Sequence, residues 1–202
     1  MALSRIRPQQ ALIELRRSIE LDPNNVSALE SLGALLRRTG DLHGATTEFQ
    51  KAKELSVSQE KHSETVVHTK TAAQHLRQME PSKAVHELKL ALAAEPNSAA
   101  ANVLLGVALS TAGEPAEATK AFKSALQEKP LDPDIHFNWA VFLGRQGDFQ
   151  GAAKELKSVL ALRPGYPQAH CLLARALSSL GEAERSAREM KLARQLGQCE
   201  QE

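Results

Sequence analysis

Apolar and polar positions along most of this 202-residue chain follow a pattern that recurs with a fixed period of about 34 residues. The recurrence is clearest at large apolar, proline and glycine positions. The sets are Leu88, Phe122 and Leu156; Pro96, Pro130 and Pro164; and Gly113, Gly147 and Gly181. A fixed period of this length indicates one supersecondary unit that is repeated and stacked on its neighbours. We therefore predict a solenoid.

Turn signals divide each repeat into two helices. Glycine followed by an acidic residue lies between two apolar-periodic stretches, at Gly40-Asp41, Gly113-Glu114, Gly147-Asp148 and Gly181-Glu182. Glycine accepts the left-handed conformation that ends a helix, and the acid can cap the next one. Proline-containing segments then separate one helix pair from the next. We predict a lone helix as a half repeat in residues 1–25, then five hairpins within 26–202, followed by a short polar tail. The hairpins are expected at about 26–59, 65–98, 99–132, 133–166 and 167–197.

The spacing changes once, between the first and second hairpins. The separation of Pro23 from Pro96 is longer than two full periods, by about five residues. The extra residues lie near Ser56–Ser63, a polar stretch without glycine or proline. It predicts either a lengthened helix end or a loop.

Small residues recur where two helices of a hairpin must approach closely. They are Gly33, Gly106, Ala140 and Ala174 in the first helices and Ala45, Ala84, Ala118 and Ala152 in the second. A Leu-Gly pair in the first helix, Ala-x3-Phe in the second and a following Pro make up the pattern of the tetratricopeptide repeat, which this chain resembles. The unit 99–132 carries that pattern most fully, as Leu105-Gly106, Ala118, Phe122 and Pro130. The resemblance covers about residues 8–195 and implies an all-α, right-handed superhelical solenoid of antiparallel helix hairpins.

The resemblance also implies a binding groove, because in this family the first helix of each hairpin lines the inner surface. The corresponding residues here are Val103, Leu104, Val107, Phe137, Asn138, Val141, Arg145, Leu172 and Arg175. We expect an apolar floor with arginines near its edge, suited to a peptide with apolar anchors and some acidic residues. The alternative is that these side chains only pack on their neighbours or form a solvated rim.

Composition and the absence of known motifs disfavour several classes of function. The chain has 25 basic and 24 acidic residues and only 3% aromatics, which disfavours nucleic-acid binding. No apolar run approaches the roughly 20 residues that span a bilayer, so no membrane insertion is expected. No phosphate-binding, dinucleotide-binding or nucleophile-elbow motif occurs, and we expect no catalytic residue, cofactor or metal. Cys171 and Cys199 are expected to be free thiols.

Three histidines, His68, His136 and His170, occupy the same position in their repeats. They lie on equivalent faces of different hairpins and are therefore spread along the solenoid. We expect rings packed between helices rather than the shared ligands of a metal ion.

These observations favour a non-enzymatic scaffold or adaptor that holds another protein or peptide. The alternative is a regulatory or targeting segment of a larger enzyme or of a secretion or assembly machine. Apolar residues near both ends suggest a fragment of a longer array, or self-association through the exposed ends. The chain as given is expected in the cytoplasm, and a lost upstream signal would place it in the periplasm.

Overall fold

A computed structural model describes residues 8–197 of the chain. Over that range it consists of ten α-helices without a strand. They are α1 (Pro8–Leu21), α2 (Val26–Thr39), α3 (Leu42–Arg77), α4 (Pro81–Ala94), α5 (Ala99–Ala112), α6 (Pro115–Glu128), α7 (Pro133–Arg145), α8 (Phe149–Leu162), α9 (Pro167–Ser179) and α10 (Ala183–Gln195). The predicted all-α architecture of helix hairpins is confirmed.

The chain divides into two compact units, Met1–Ser63 and Glu64–Glu202, which we call the N-terminal and C-terminal units. The boundary falls inside α3, a helix of 36 residues. The stretch Ser56–Ser63, for which we expected a lengthened helix end or a loop, is helical throughout. It contains neither glycine nor proline, so nothing in it ends a helix. The helices expected in the hairpins at 26–59 and 65–98 are therefore joined through one continuous helix.

The N-terminal unit has a small core in which α1 packs on α2. Buried Leu32, Leu36 and Ala45 form its centre, and Leu12, Leu15, Ile19 and Phe49 pack against them. Asn25 fixes the start of α2, because its side-chain oxygen accepts a hydrogen bond from the Ala28 N–H at 3.0 Å.

The C-terminal unit is a stack of hairpins. α5 pairs with α6, α7 with α8 and α9 with α10, while α4 packs on α5 and α8 packs on α9. The first helices also contact one another, α5 with α7 and α7 with α9. The second helices α6, α8 and α10, as far as they are described, make no such contacts among themselves. Because the first helices lie closer together than the second, their side of the stack is the concave one.

The repeating sequence pattern corresponds to the core of this unit. Leu88, Phe122 and Leu156 are 0%, 0% and 1% exposed. All eight small residues at the helix approaches are buried in their respective units. At Gly106 the reason is visible, since an added Cβ would lie 2.7 Å from Cε2 of Phe122. Small residues in the first helix therefore make room for large residues in the second.

One turn uses a residue that the sequence pattern does not single out. Met79 lies one period before Gly113, and both have positive φ, 59° and 83°. The residue after each donates its backbone N–H into the preceding helix: Glu80 to the His75 carbonyl at 2.9 Å and Glu114 to the Leu109 carbonyl at 2.8 Å. Met79 therefore adopts the left-handed conformation that glycine adopts in the following repeat.

We expect Met79→Gly to raise the free energy of unfolding by about 1 kcal/mol, because a side chain in the left-handed region is strained by roughly that amount. Little packing is lost, since Met79 is 77% exposed. The reverse change, Gly113→Met, should lower the free energy of unfolding by about 1–2 kcal/mol. Urea unfolding followed by circular dichroism measures both, and a destabilised Met79→Gly protein would contradict the prediction.

Candidate functional site

The nine residues predicted to line the groove lie on three consecutive first helices of the C-terminal unit. α5 carries Val103, Leu104 and Val107; α7 carries Phe137, Asn138, Val141 and Arg145; and α9 carries Leu172 and Arg175. We call this set the inner surface. The two arginines are exposed and the other seven residues are half-buried. Direct contacts of α7 with both α5 and α9 bring the three groups side by side.

The apolar members of the inner surface are anchored in the core. Leu104 and Val107 pack against the cluster that contains Phe122, whereas Phe137 and Leu172 pack against the cluster around Leu156. Each of these side chains therefore has one side in the core and remains partly accessible. Such residues form a rigid apolar floor without needing a ligand to hold them in place.

An aromatic and charged cluster that sequence reasoning did not find lies against this floor. The Phe137 ring stacks on Tyr166, with centroids 5.0 Å apart and 28° between the planes. The guanidinium of Arg163 lies 5.2 Å from the Tyr166 ring centroid, and its Nη1 lies 3.2 Å from Oδ1 of Asp134. Asp134, Phe137, Arg163 and Tyr166 thus form a connected set, which we call the aromatic platform. The sequence signal that could have revealed this cluster is the pair Arg163 and Tyr166 on either side of Pro164. This short connection leads from α8 to the start of α9, beside the first helices.

The polar members of the inner surface differ in their environments. Asn138 donates a side-chain hydrogen bond to the Asp134 carbonyl in its own helix, at 2.7 Å. Arg145 is exposed and forms no ion pair with any residue that the structure describes. Its guanidinium keeps its donors available, and the guanidinium fork matches a carboxylate.

The three equivalent histidines each lie at hydrogen-bond distance from a glutamate carboxylate. In each case Nδ1 faces a glutamate on the next helix, which for His136 and His170 is the second helix of the same hairpin. The pairs are His68–Glu87 at 2.7 Å, His136–Glu155 at 2.6 Å and His170–Glu189 at 2.7 Å. The prediction of rings packed between helices therefore lacks one contact, because each ring also forms a hydrogen bond with a glutamate.

A second polar cluster follows the turn between α3 and α4. Glu80 accepts hydrogen bonds from Lys83 at 2.7 Å and from His75 at 2.8 Å, which together hold the pKa of its carboxyl below the ordinary value. Nearby, an open cleft of about 400 Å³ is lined by His75, Ser82, Lys83, His86 and Glu87. Across residues 8–197, no group of three or more His, Cys, Asp or Glu side chains is arranged to hold a metal ion.

A larger cleft lies within the N-terminal unit. It has a volume of about 630 Å³, and its walls include Ile19, Leu29, Leu32 and Leu55 with Arg16, Glu48 and Lys51 around them. This cleft is open and its charges are of both signs. The inner surface is a wall rather than an enclosed cavity, which is the form that suits a polypeptide ligand.

Cys171, next to Leu172 on α9, is disulfide-bonded. The expectation of a free thiol at this position was wrong. Cys199 lies outside the described residues.

Apolar side chains near the described ends of the array are exposed. Ile13 and Leu21 on α1 are 64% and 80% exposed, and Leu192 and Leu196 at the end of α10 are 42% and 44% exposed. Self-association through these ends stays a prediction. No helix among the described residues is long and apolar enough to cross a bilayer.

Comparison with models of known protein families shows which family this chain matches. A family model described as tetratricopeptide repeat matches residues 75–137 and 145–198, together more than half of the chain, and a second model of the same description matches 14–46. The chain belongs to the tetratricopeptide-repeat family. The resemblance seen in the sequence is confirmed, and with it the all-α repeat fold. A search of curated proteins gives no match.

Solved tetratricopeptide-repeat structures share the fold at low sequence identity. A crystal structure of MamA has a TM-score of 0.55 at 18% identity, covering 94% of this chain and 88% of MamA. YrrB, described as a TPR protein with an unusual peptide-binding site, has a TM-score of 0.58 at 17% identity, covering 91% of this chain and 92% of YrrB. A double mutant of MamA from RS-1 gives 0.54 at 14% identity, with coverage of 94% and 84%. At these identities the likeness concerns the fold alone.

Proposed function

We propose that this tetratricopeptide-repeat chain is a non-enzymatic scaffold that binds a peptide or protein segment on the inner surface of its C-terminal unit. The observation that carries the proposal is the contact between successive first helices, which aligns α5, α7 and α9 as one wall. Their half-buried apolar side chains are fixed from behind by the core. A preformed surface of this kind binds without the entropic cost of ordering itself.

The chemistry of the wall favours a peptide with apolar anchors and acidic side chains. Val103, Val107, Val141 and Leu172 offer apolar contact area. Arg145, exposed on α7, offers its guanidinium group to carboxylates. The aromatic platform adds Phe137, whose position is fixed by its stack on Tyr166. Aromatic and arginine side chains are the types that most often dominate binding energy at interfaces.

The fold comparison supports the general part of this proposal. YrrB, which shares the fold, is described as having a peptide-binding site. At 17% identity that description gives no residue correspondence. The residues proposed here rest on the geometry of this chain.

Peptides selected from a random display library on the immobilised protein provide the test. For the tightest peptides we expect Phe137→Ala to weaken binding at least about tenfold, because it removes a rigid anchor. Arg145→Ala should weaken binding about threefold to tenfold, with the larger effect on acidic peptides. Isothermal titration calorimetry measures each dissociation constant.

Lys157→Ala is the matched control, since Lys157 is exposed on the second helix α8 rather than on the wall. It should change affinity less than about twofold. Circular dichroism establishes that each variant is folded. Unchanged affinity in a folded Phe137→Ala, Arg145→Ala double variant would overturn the proposed surface.

A further inference from the structure

A second cleft of the N-terminal unit lies between α1 and α2. It is open to solvent and has a volume of about 760 Å³. We call it the α1–α2 cleft, and its lining residues are Ala11 and Leu15 from α1 and Ser31, Ala34, Leu35, Arg37 and Arg38 from α2. Four of these residues are apolar, and the two charged ones are both arginines. The cleft therefore offers an apolar surface with positive charge at one end of α2.

The sequence of α1 shows which face of this helix borders the cleft. Ala11 and Leu15 lie one period before the small and the large residue of α3, so they hold the positions that second helices use in this chain. In the hairpin of α5 and α6 the large residue at this position contacts the first helix, because a Cβ added at Gly106 would lie 2.7 Å from Cε2 of Phe122. α1 thus presents to the cleft the two positions with which a second helix contacts a first helix.

Burial at the small position separates α1 from the second helices that pack on a first helix. The small residue is 3% exposed at Ala45, 0% at Ala118 and 2% at Ala152. Each of these three lies in a helix that packs against the first helix of its hairpin. Ala11, in contrast, is half-buried and lines an open cleft. The face of α1 that a first helix would cover is therefore accessible.

The wall formed by α2 matches the same place in a repeat. Leu35 is the tenth residue of α2, as Phe142 is the tenth residue of α7. Phe142 belongs to the core cluster that contains Ala108 and Leu109 of α5, so this face of α7 packs toward the preceding first helix. α5 contacts both α6 and α7. The cleft between α1 and α2 thus corresponds to the place of α5 between α6 and α7.

The arginines of the cleft lie in the last turn of α2. Arg37 lies with its guanidinium 5.6 Å from the ring centroid of Phe49, and within residues 8–197 neither Arg37 nor Arg38 forms an ion pair. Because each hairpin is antiparallel, successive first helices run in the same direction. A helix in the cleft would therefore run parallel to α2 and end near these two side chains. The carboxyl end of a helix carries partial negative charge, which guanidinium groups complement, and acidic side chains there would add to the attraction.

We propose that the α1–α2 cleft binds an amphipathic α-helix of a partner protein, which takes the place of a first helix and brings acidic side chains in its last turn to Arg37 and Arg38. The helix has 13 or 14 residues, the length of α5, α7 and α9. Its apolar side chains recur at spacings of three and four, with a small residue where it meets Leu15. This site does not depend on the inner surface of the C-terminal unit, since it consists of other residues.

Binding of a model helix tests the proposal. The probe is a synthetic peptide of residues 99–112, the sequence of α5, with Thr111→Glu and Ala112→Glu at its carboxyl end. A hydrocarbon staple on the face that α5 leaves exposed keeps it helical, because an isolated helix of this length is marginal in water. Fluorescence anisotropy with the full chain should give a dissociation constant of about 1–100 µM. Absence of binding in this range would overturn the proposal.

Charge reversal tests the position of the carboxyl end of the peptide. The variant with Arg37→Glu and Arg38→Glu should bind the probe about tenfold more weakly. A second peptide with lysine in place of the two glutamates should bind this variant more tightly than it binds the unmodified chain. Lys53→Glu with Lys61→Glu is the matched control, because both lysines are exposed on α3 and neither lines the cleft. Equal effects of the two charge reversals would contradict the proposed docking.

Filling the cleft gives an independent test. Ala11→Phe places a ring where the helix would dock and should weaken binding of the probe at least about tenfold. Undiminished binding to this variant would count against the site, once circular dichroism establishes that the variant is folded. If it does not fold, the charge-reversal variants decide, because they change only exposed side chains. Analytical ultracentrifugation tests another occupant: dimers of the unmodified chain that Ala11→Phe abolishes would identify a second copy, and the partner helix would be wrong.

Discussion

Replacing Phe122 with alanine is expected to lower the free energy of unfolding of the C-terminal unit by about 3–5 kcal/mol. Phe122 is fully buried, and its ring lies 5.3 Å from Trp139 and 5.5 Å from Phe142 between centroids. These two residues belong to the next hairpin, on α7, so one side chain connects two repeats. Truncation removes this contact and leaves a cavity that neighbouring helices cannot fill without moving. Urea unfolding monitored by tryptophan fluorescence reports this change, because Trp139 is the single tryptophan.

Leu162→Ala is the comparison for Phe122→Ala. Leu162 is also a large apolar residue of a second helix, but it is 40% exposed. Its removal should lower the free energy of unfolding by less than about 1.5 kcal/mol. Similar losses in the two variants would mean that Phe122 does not hold the repeats together as described.

Gly106→Leu adds volume to the packed core, whereas Phe122→Ala removes it. We expect Gly106→Leu to lower the free energy of unfolding by more than the usual cost of overpacking, which is about 1–3 kcal/mol. Even a Cβ at this position would lie 2.7 Å from Cε2 and 2.8 Å from Cδ2 of Phe122. The Phe122 ring is enclosed and has no room to move away, so the two helices must separate. Chemical unfolding of the purified variant measures the loss.

A substitution at a second glycine shows whether the loss of stability at Gly106 comes from the close approach of Phe122 or from the change in helix propensity. Gly144 is also in a first helix, but an added Cβ there would meet only the Ala152 Cβ at 3.9 Å. Gly144→Ala should therefore raise the free energy of unfolding by about 0.5–1 kcal/mol, since alanine is the better helix former. A double-mutant cycle of Gly106→Ala with Phe122→Leu should show strong coupling, because the smaller side chain relieves the contact. Additive effects would contradict the proposed steric cause.

The period and the turn signals within it predicted the hairpins of the C-terminal unit, because large and small residues that must interlock recur at fixed spacing between glycine and proline breaks. The continuous helix α3 was harder to predict, since a few extra residues extend a helix as readily as they form a loop. The absence of glycine and proline between Ser56 and Ser63 favours the helix, but it did not exclude a loop. At Met79 the pattern gave no turn signal, because the position with positive φ is occupied by methionine instead of the glycine found in the following repeats.

In the candidate site, the positions of residues along a helix could be predicted from the sequence, whereas contacts between side chains of different helices could not. The positions of Val103, Phe137 and Leu172 follow from helix register, which the repeats determine. The hydrogen bond between His136 and Glu155 joins two different helices, and reading one helix at a time does not show it. The glutamates recur with the same period as the histidines, so comparing both sets would have revealed the pairs.

The contact pattern of the helices also has a mechanical consequence. α5, α7 and α9 touch in succession, whereas the described parts of α6, α8 and α10 are linked only through them. The contacts among the first helices therefore set the angle between successive hairpins. A small change at these contacts displaces the second helices by a larger distance. Adding or removing a methylene group where α5 meets α7 should therefore change the curvature of the stack of hairpins in the C-terminal unit.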